Sequence, residues 1–180
     1  LDAAIIFSDI LMIPWAMNRN VNFINGIGPI LDPLIPDETK VLKNIDIFNK
    51  LDPLKKSILI LKKELPQSIS LIGFAGAPWT LACYMIEGQG SKDFINTRKA
   101  KKKKKKWFME LLDTLSVYVA DKLELQANAG ADILMLFDSW SHMIPSTFFQ
   151  DCCINPTAKI INILRSKNIS KPIIGFPFKA

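Results

Sequence analysis

The sequence has one histidine, three cysteines and no long apolar run, and each shortage narrows what the chain can be. Cys83, Cys152 and Cys153 are odd in number and none stands in a C-x-x-C spacing. Inert thiols in a reducing cytosol are therefore expected. The longest uncharged stretch, residues 71–86, is shorter than the roughly 20 residues a membrane helix needs. It is also broken by Gly73, Gly76 and Pro78. No basic region followed by an apolar core opens the chain, so no signal peptide is visible. G-x-G-x-x-G is absent, as is G-x-x-x-x-G-K-S/T, which removes the usual dinucleotide and phosphate loops.

What is present fits a globular protein. With 180 residues, 49% hydrophobic and 22% charged, the chain can bury a sizeable core as one ordinary domain. Its net charge of +6 is local, because seven lysines lie in the run from Lys99 to Lys106 and the charge without them is −1. Such a run could meet nucleic acid or an anionic membrane. No aromatic residues are interleaved with it, so it reads as a solvated helix start or loop, with neither partner expected.

Taken in order, residues 3–8 form a short apolar run, as in a strand buried on both faces. Residues 10–50 are irregular, with a possible short strand at Asn20-Val21-Asn22-Phe23 and turn signals at Gly26, Gly28 and Asp32-Pro33. A helix is expected from Asp52 as N-cap and Pro53 as first residue to Pro66, with Leu54, Ile58, Leu61 and Leu65 on one stripe. A strand follows near residues 70–74. A second helix is expected over residues 107–128, with Phe108, Leu111, Leu112, Leu115, Val119 and Leu123 inward. Residues 132–137 read as a third strand. A third helix begins at Asn155-Pro156, and residues 172–176 are a fourth strand. This alternation predicts an α/β fold with a parallel sheet and right-handed crossovers. A (β/α)8 TIM barrel takes about 250 residues, so an incomplete barrel with parallel strands and outer helices, about half of one, is expected.

Residues 71–90, LIGFAGAPWTLACYMIEGQG, are the least generic stretch. An apolar run ends in Gly73-Phe74-Ala75-Gly76-Ala77-Pro78 and feeds an uncharged segment carrying Tyr84. Strand ends of this kind present backbone and side chains to ligands in α/β enzymes. A tight strand–helix turn with glycines for close packing is the alternative. Asp9 also ends an apolar run, and position alone leaves it open between capping the next segment and pointing into a site.

Phe7-Ser8-Asp9-Ile10-Leu11, the string from Gly73 to Leu81 (GFAGAPWTL), Tyr84-Met85-Ile86-Glu87-Gly88, Phe137-Asp138-Ser139-Trp140 and Ile174-Gly175-Phe176-Pro177 together resemble the uroporphyrinogen decarboxylase family, in order and over essentially the whole chain. The resemblance implies a (β/α)8 barrel, a cytoplasmic homodimer, and no metal or organic cofactor. It also implies decarboxylation of the four acetate side chains of uroporphyrinogen III to give coproporphyrinogen III in haem synthesis. On this resemblance Asp9 would accept hydrogen bonds from the pyrrole N–H groups, and Tyr84 would orient Asp9 or the reacting acetate. Ser139 would bind a substrate carboxylate, and Phe74 and Gly76 would shape the cleft wall. Asp138 is either a second acid or a solvated or capping residue. Ser141-His142 departs from the small pair usual in the family, and His142 is expected to be structural.

The chain opens at Leu1 and closes just past a strand, so it reads as residues 1–180 of one partial domain truncated at both ends. The family's arginine-rich motif is expected before Leu1 and its late histidine beyond Ala180. Arg19, Arg98 and Arg165 do not stand at the family's positions, so the 180 residues alone are expected not to catalyse. Two other readings remain: a zinc-dependent methyltransferase barrel of the corrinoid and methionine-synthase kind, for which no H-x-C pairing is seen, and a degenerate, non-catalytic fragment.

Overall fold

The computed structural model describes residues 2–103 and 105–179. Four parallel strands form its sheet, in the spatial order β1 (Ala3–Ile5), β4 (Ser70–Gly76), β5 (Ile133–Asp138) and β6 (Ile173–Pro177). Sequential strands thus lie side by side, each reached through helices, as the alternation predicts. Among the described residues neither β1 nor β6 has a strand on its outer side.

Alternation along the strands separates two faces. Leu71 and Ala75 of β4 and Leu134 and Leu136 of β5 are buried under the helices. Ile133, Met135 and Phe137 point the other way and are only half covered. On that inner face Phe7 is 83% exposed and Phe176 45%. The arrangement is half of a (β/α)8 barrel: helices outside, and an apolar lining that more strands would close over.

The longest helix, α5 (Lys105–Asn128), crosses the sheet. Phe108, Leu111, Leu112, Leu115, Val119 and Leu123 are all sealed in the main core with Trp79 and Ile160. Gly130, in the left-handed region (φ +114°), follows its end. Before it lie α3 (Pro78–Glu87) and α4 (Ile95–Lys103). The Glu87 carboxylate accepts from Thr97 N–H (2.8 Å) and Thr97 Oγ1 (3.0 Å), which meets the unpaired donors and positive dipole end of α4.

Several sequence expectations change. The helix expected from Asp52 is α2 (Phe48–Glu64), with Pro53 inside it. Asp46 supplies the start instead, its Oδ1 accepting from Phe48 N–H at 2.9 Å, and Asp52 pairs with Lys56 one turn on. Asn155 is not an N-cap: α6 (Ser146–Phe149) runs through a π-helical turn (Gln150–Ile154) into α7 (Asn155–Ser166) without a break. The lysine run is not all solvated. Lys101 is buried, 2.7 Å from Asp151 and over the Phe148 ring. Lys104, in the same run, lies outside the described residues.

The irregular region 10–50 is more ordered than its sequence suggests. It holds α1 (Met12–Ala16), a 3-10 helix (Pro36–Leu42), and an antiparallel hairpin of β2 (Val21–Ile24) and β3 (Gly28–Leu31). It is tied down at the end of α3. Leu31 N–H donates to Gly88 O and Leu34 N–H to Met85 O, both at 2.6 Å. Gly88 is required there: its φ is +80°, and a Cβ would stand 2.8 Å from Leu31 O.

Candidate active site

The C-terminal ends of β1, β4 and β5 gather the candidate residues, the end at which parallel barrels carry their sites. Asp9 follows β1. Its Oδ1 accepts from Leu11 N–H at 2.7 Å, and its carbonyl accepts from Met12 N–H at 3.1 Å. The carboxylate therefore starts α1, which is the capping reading. Its other oxygen makes no hydrogen bond among the described residues. Capping and availability coexist in one side chain.

Tyr84, on α3, is 9% exposed. Burial raises its hydroxyl above the ordinary pKa of 10.0 and the nearby Asp9 charge adds to that, while the Trp140 indole N–H works the other way. That indole N–H stays short of a full hydrogen bond. Asp9 and Tyr84 are thus within electrostatic reach of one another.

Phe74 forms the inner wall. Its ring is edge-on to Phe137 at 5.1 Å and tilted against Phe7 at 6.3 Å. Gly76 lies against the turn that carries Asp9: a Cβ there would meet Ile10 Cβ at 3.2 Å and Leu81 Cδ2 at 3.1 Å. Its missing side chain admits Ile10. Ser139 follows β5 at the same end and is partly buried. A cavity of about 250 Å³ opens beside Asp9, lined also by Leu11, Met12, Trp15, Val21 and Phe23. None of Phe74, Gly76, Tyr84 or Ser139 lines it.

Asp138 is neither a solvated residue nor an acid in the cleft. It shares the helix-facing parity of Leu134 and Leu136 and is 4% exposed. Thr80 Oγ1 donates to its Oδ1 at 2.6 Å. Burial pushes its carboxyl up to about 6, against the Thr80 and Cys153 hydrogen bonds. The departure at Ser141-His142 has a local use. Ser141 Oγ sits 2.8 Å from Asp138 O and 3.0 Å from Phe178 O, tying the turn after β6 to β5. His142 is exposed between the rings of Trp140 and Phe178.

Two groups went unnoticed in the sequence. Gln126 of α5 is fully buried. Its Oε1 accepts from Phe74 N–H and its Nε2 donates to Phe74 O, both at 2.9 Å. Lys122, one turn earlier, is also fully buried. Its Nζ lies 3.4 Å from Asp9 O and 5.7 Å from the centre of the Phe74 ring. Both sit on the inward line of Leu115 and Val119, which was the available signal.

Arg19 is committed to Glu38 and to Asp32 O, and Arg165 to the carbonyls of Ile169 and Lys171. Cys83, Cys152 and Cys153 are buried free thiols. Among the described residues no group of three or more His, Cys, Asp or Glu side chains is placed to hold a metal ion, and no helix is long and apolar enough to cross a membrane.

The family model described as uroporphyrinogen decarboxylase matches residues 1–180. The uroporphyrinogen decarboxylase of Chelativorans sp. (strain BNC1) is 43% identical over 176 residues, covering 98% of this chain and 52% of the relative. That of Rickettsia conorii is 45% identical over 176 residues, with 98% and 51% covered. The chain thus spans about half the length of the curated relatives it matches. A solved methyltransferase from Methanosarcina mazei superposes with a TM-score of 0.78 over 97% of this chain and 51% of its own, at 15% identity, a likeness of fold alone.

Proposed function

The chain belongs to the uroporphyrinogen decarboxylase family, and on that premise we propose that it forms part of an enzyme removing CO2 from the four acetate side chains of uroporphyrinogen III. The observation that carries this reading is Asp9: a carboxylate at the mouth of β1, one oxygen held by Leu11 N–H and the other uncommitted among the described residues.

The chemistry explains the need for such a group. Loss of CO2 from an acetate leaves an electron pair that must go somewhere. A proton added to the pyrrole carbon beside the acetate-bearing carbon makes the ring a cation able to accept that pair. The C–C bond to the carboxylate then breaks, CO2 leaves, and the pair forms an exocyclic C=C bond. Protonation of that methylene gives the methyl group, and loss of the added ring proton restores the pyrrole. One proton is consumed for each CO2 released. A fixed anion facing the pyrrole N–H groups stabilises the cation and the transition state before it.

In this reading Asp9 accepts from the N–H groups, and Tyr84, within its electrostatic reach, orients it or the reacting acetate. Phe74 lines the ring-binding wall, Gly76 lets the Asp9 turn pack against β4, and Ser139 binds a substrate carboxylate. The same reading gives a cytoplasmic homodimer that needs no cofactor, with this chain supplying part of the barrel.

The test is uroporphyrinogen III turnover by a protein carrying this sequence at the length of its relatives. Asp9→Asn keeps the bond to Leu11 N–H and removes the charge. It is expected to lower kcat by about 10²–10³-fold. Absence of turnover by the unsubstituted protein overturns the activity, and near-normal rates for Asp9→Asn overturn its role. The 180 residues alone are expected to be inactive.

A further inference from the structure

Lys122 is a buried cation that the proposed chemistry does not use. It forms no ion pair among the described residues, and an apolar side chain could fill its place without the cost of burying a charge. What it touches suggests why it is there. The pairing of β1 with β4 ends at Ile5 and Ile72, with one further bond from Ile6 N–H to Ile72 O. Beyond that point the two strands part, and the backbone of Phe74 on β4 has no neighbour from β1.

Side chains from α5 fill the gap. Gln126 takes both the N–H and the carbonyl of Phe74. Gly73 makes this possible, since a Cβ there would stand 2.8 Å from Gln126 Oε1. Lys122, on the same helix face, reaches the other side of the split. Its ammonium approaches Asp9 O at 3.4 Å and stands over the Phe74 ring.

We infer that Lys122 is a positioning residue: it anchors the backbone of Asp9 to α5 where β1 leaves the sheet, and so fixes the Asp9 carboxylate relative to the Phe74 wall. The inference rests on the reading of Asp9 as the charged group of the site. Lys122 ionises within reach of experiment, because burial lowers it to about 8 against the pull of Asp9. Asp9, from the turn after β1, is the charged group acting on it. Its contacts from β4 and α5, Phe74 and Gln126, are uncharged. Tyr84, held above its ordinary value, ionises at higher pH.

The test uses the isotope-labelled protein of full family length carrying this sequence, in an NMR titration from pH 6 to 9.5. The Asp9 carbonyl carbon and the Ile10 amide are expected to shift together with a midpoint near 8. Both shifts disappear in Lys122→Met, and Lys122→Arg holds the low-pH position throughout. A flat Asp9 carbonyl in the natural chain overturns the inference, whether or not either variant folds. In the protein of full family length, Lys122→Met is expected to lower kcat about tenfold with KM within twofold, as misplacement of a catalytic group does. Turnover with a flat titration removes Lys122 from the site and leaves the decarboxylase reading standing. A titrating carbonyl without turnover does the reverse.

Discussion

Replacing Asp138 by Asn tests the burial of this carboxyl directly. In the folded chain it titrates at about 6, against an ordinary 3.8, because burial disfavours its charge more than the Thr80 and Cys153 hydrogen bonds favour it. The folded state therefore holds the proton more tightly than the unfolded state. Stability from this group is fully present below about pH 3.8 and is lost as pH rises through about 6. The gap is worth about 3 kcal/mol. Asparagine cannot ionise, so it escapes that loss. Its amide oxygen can still accept from Thr80, as a neutral carboxyl does, and the gap is already net of the bonds to the carboxylate. Asp138→Asn is thus expected to be more stable than the natural chain at pH 7 by about 3 kcal/mol. The advantage shrinks through pH 5 and is gone near pH 4. Urea unfolding followed by tryptophan fluorescence, repeated from pH 4 to 7, measures it. A stability difference independent of pH would refute the reasoning, since it means the carboxyl does not titrate in a buried setting.

Gly73→Ala drives a Cβ to within 2.8 Å of Gln126 Oε1 and 3.2 Å of Ala131 Cβ. Overpacking and the loss of Gln126's bonds to Phe74 together predict a cost of about 2–4 kcal/mol, read as a lower Tm; an unchanged Tm contradicts the clamp. The thiols of Cys152 and Cys153 are pushed up to about 12 by burial, and that of Cys83 also lies well above its ordinary value. Iodoacetamide at pH 8 is expected to leave all three unlabelled in the folded chain and to label them in urea; rapid labelling of the folded chain rules this out.

The strands and long helices were legible because burial wrote regular patterns into them. The run over β5 and the stripe on α5 each match one period, and the observed elements begin and end within a residue or two of those patterns. The misses have physical causes. Local chemistry at Asp52-Pro53 favours a helix start, but Asp46 offers an earlier one and Pro53 is tolerated inside the helix. The hairpin at residues 21–31 depends on its bond to Gly88, a contact far away in sequence. Asp9 and Tyr84 could be chosen only through resemblance, since a carboxylate after an apolar run caps as readily as it binds. Asp138 was ambiguous, yet strand alternation puts it with Leu134 and Leu136 on the helix side. Lys101 and Lys122 were passed over because charge normally means solvent.

Asp138 and Lys122, both buried near these strand ends, differ in what they receive for their burial. Asp138 has a hydroxyl donor at 2.6 Å and a thiol beside it, on the helix side of the sheet; its partners account for it as a tie between β5, α3 and the π-helical turn. Among the described residues the Lys122 ammonium has only one long contact to a carbonyl and a ring face. The fall from 10.5 to about 8 corresponds to about 3 kcal/mol of unfavourable burial at neutral pH, a large share of a domain's net stability. An apolar residue on the inward line of Leu115 and Val119 would avoid that cost. Local rules broken without local compensation cluster at functional sites, and here the broken rule sits directly behind the Asp9 backbone. That placement is why Lys122, rather than the equally buried Asp138, belongs with the site.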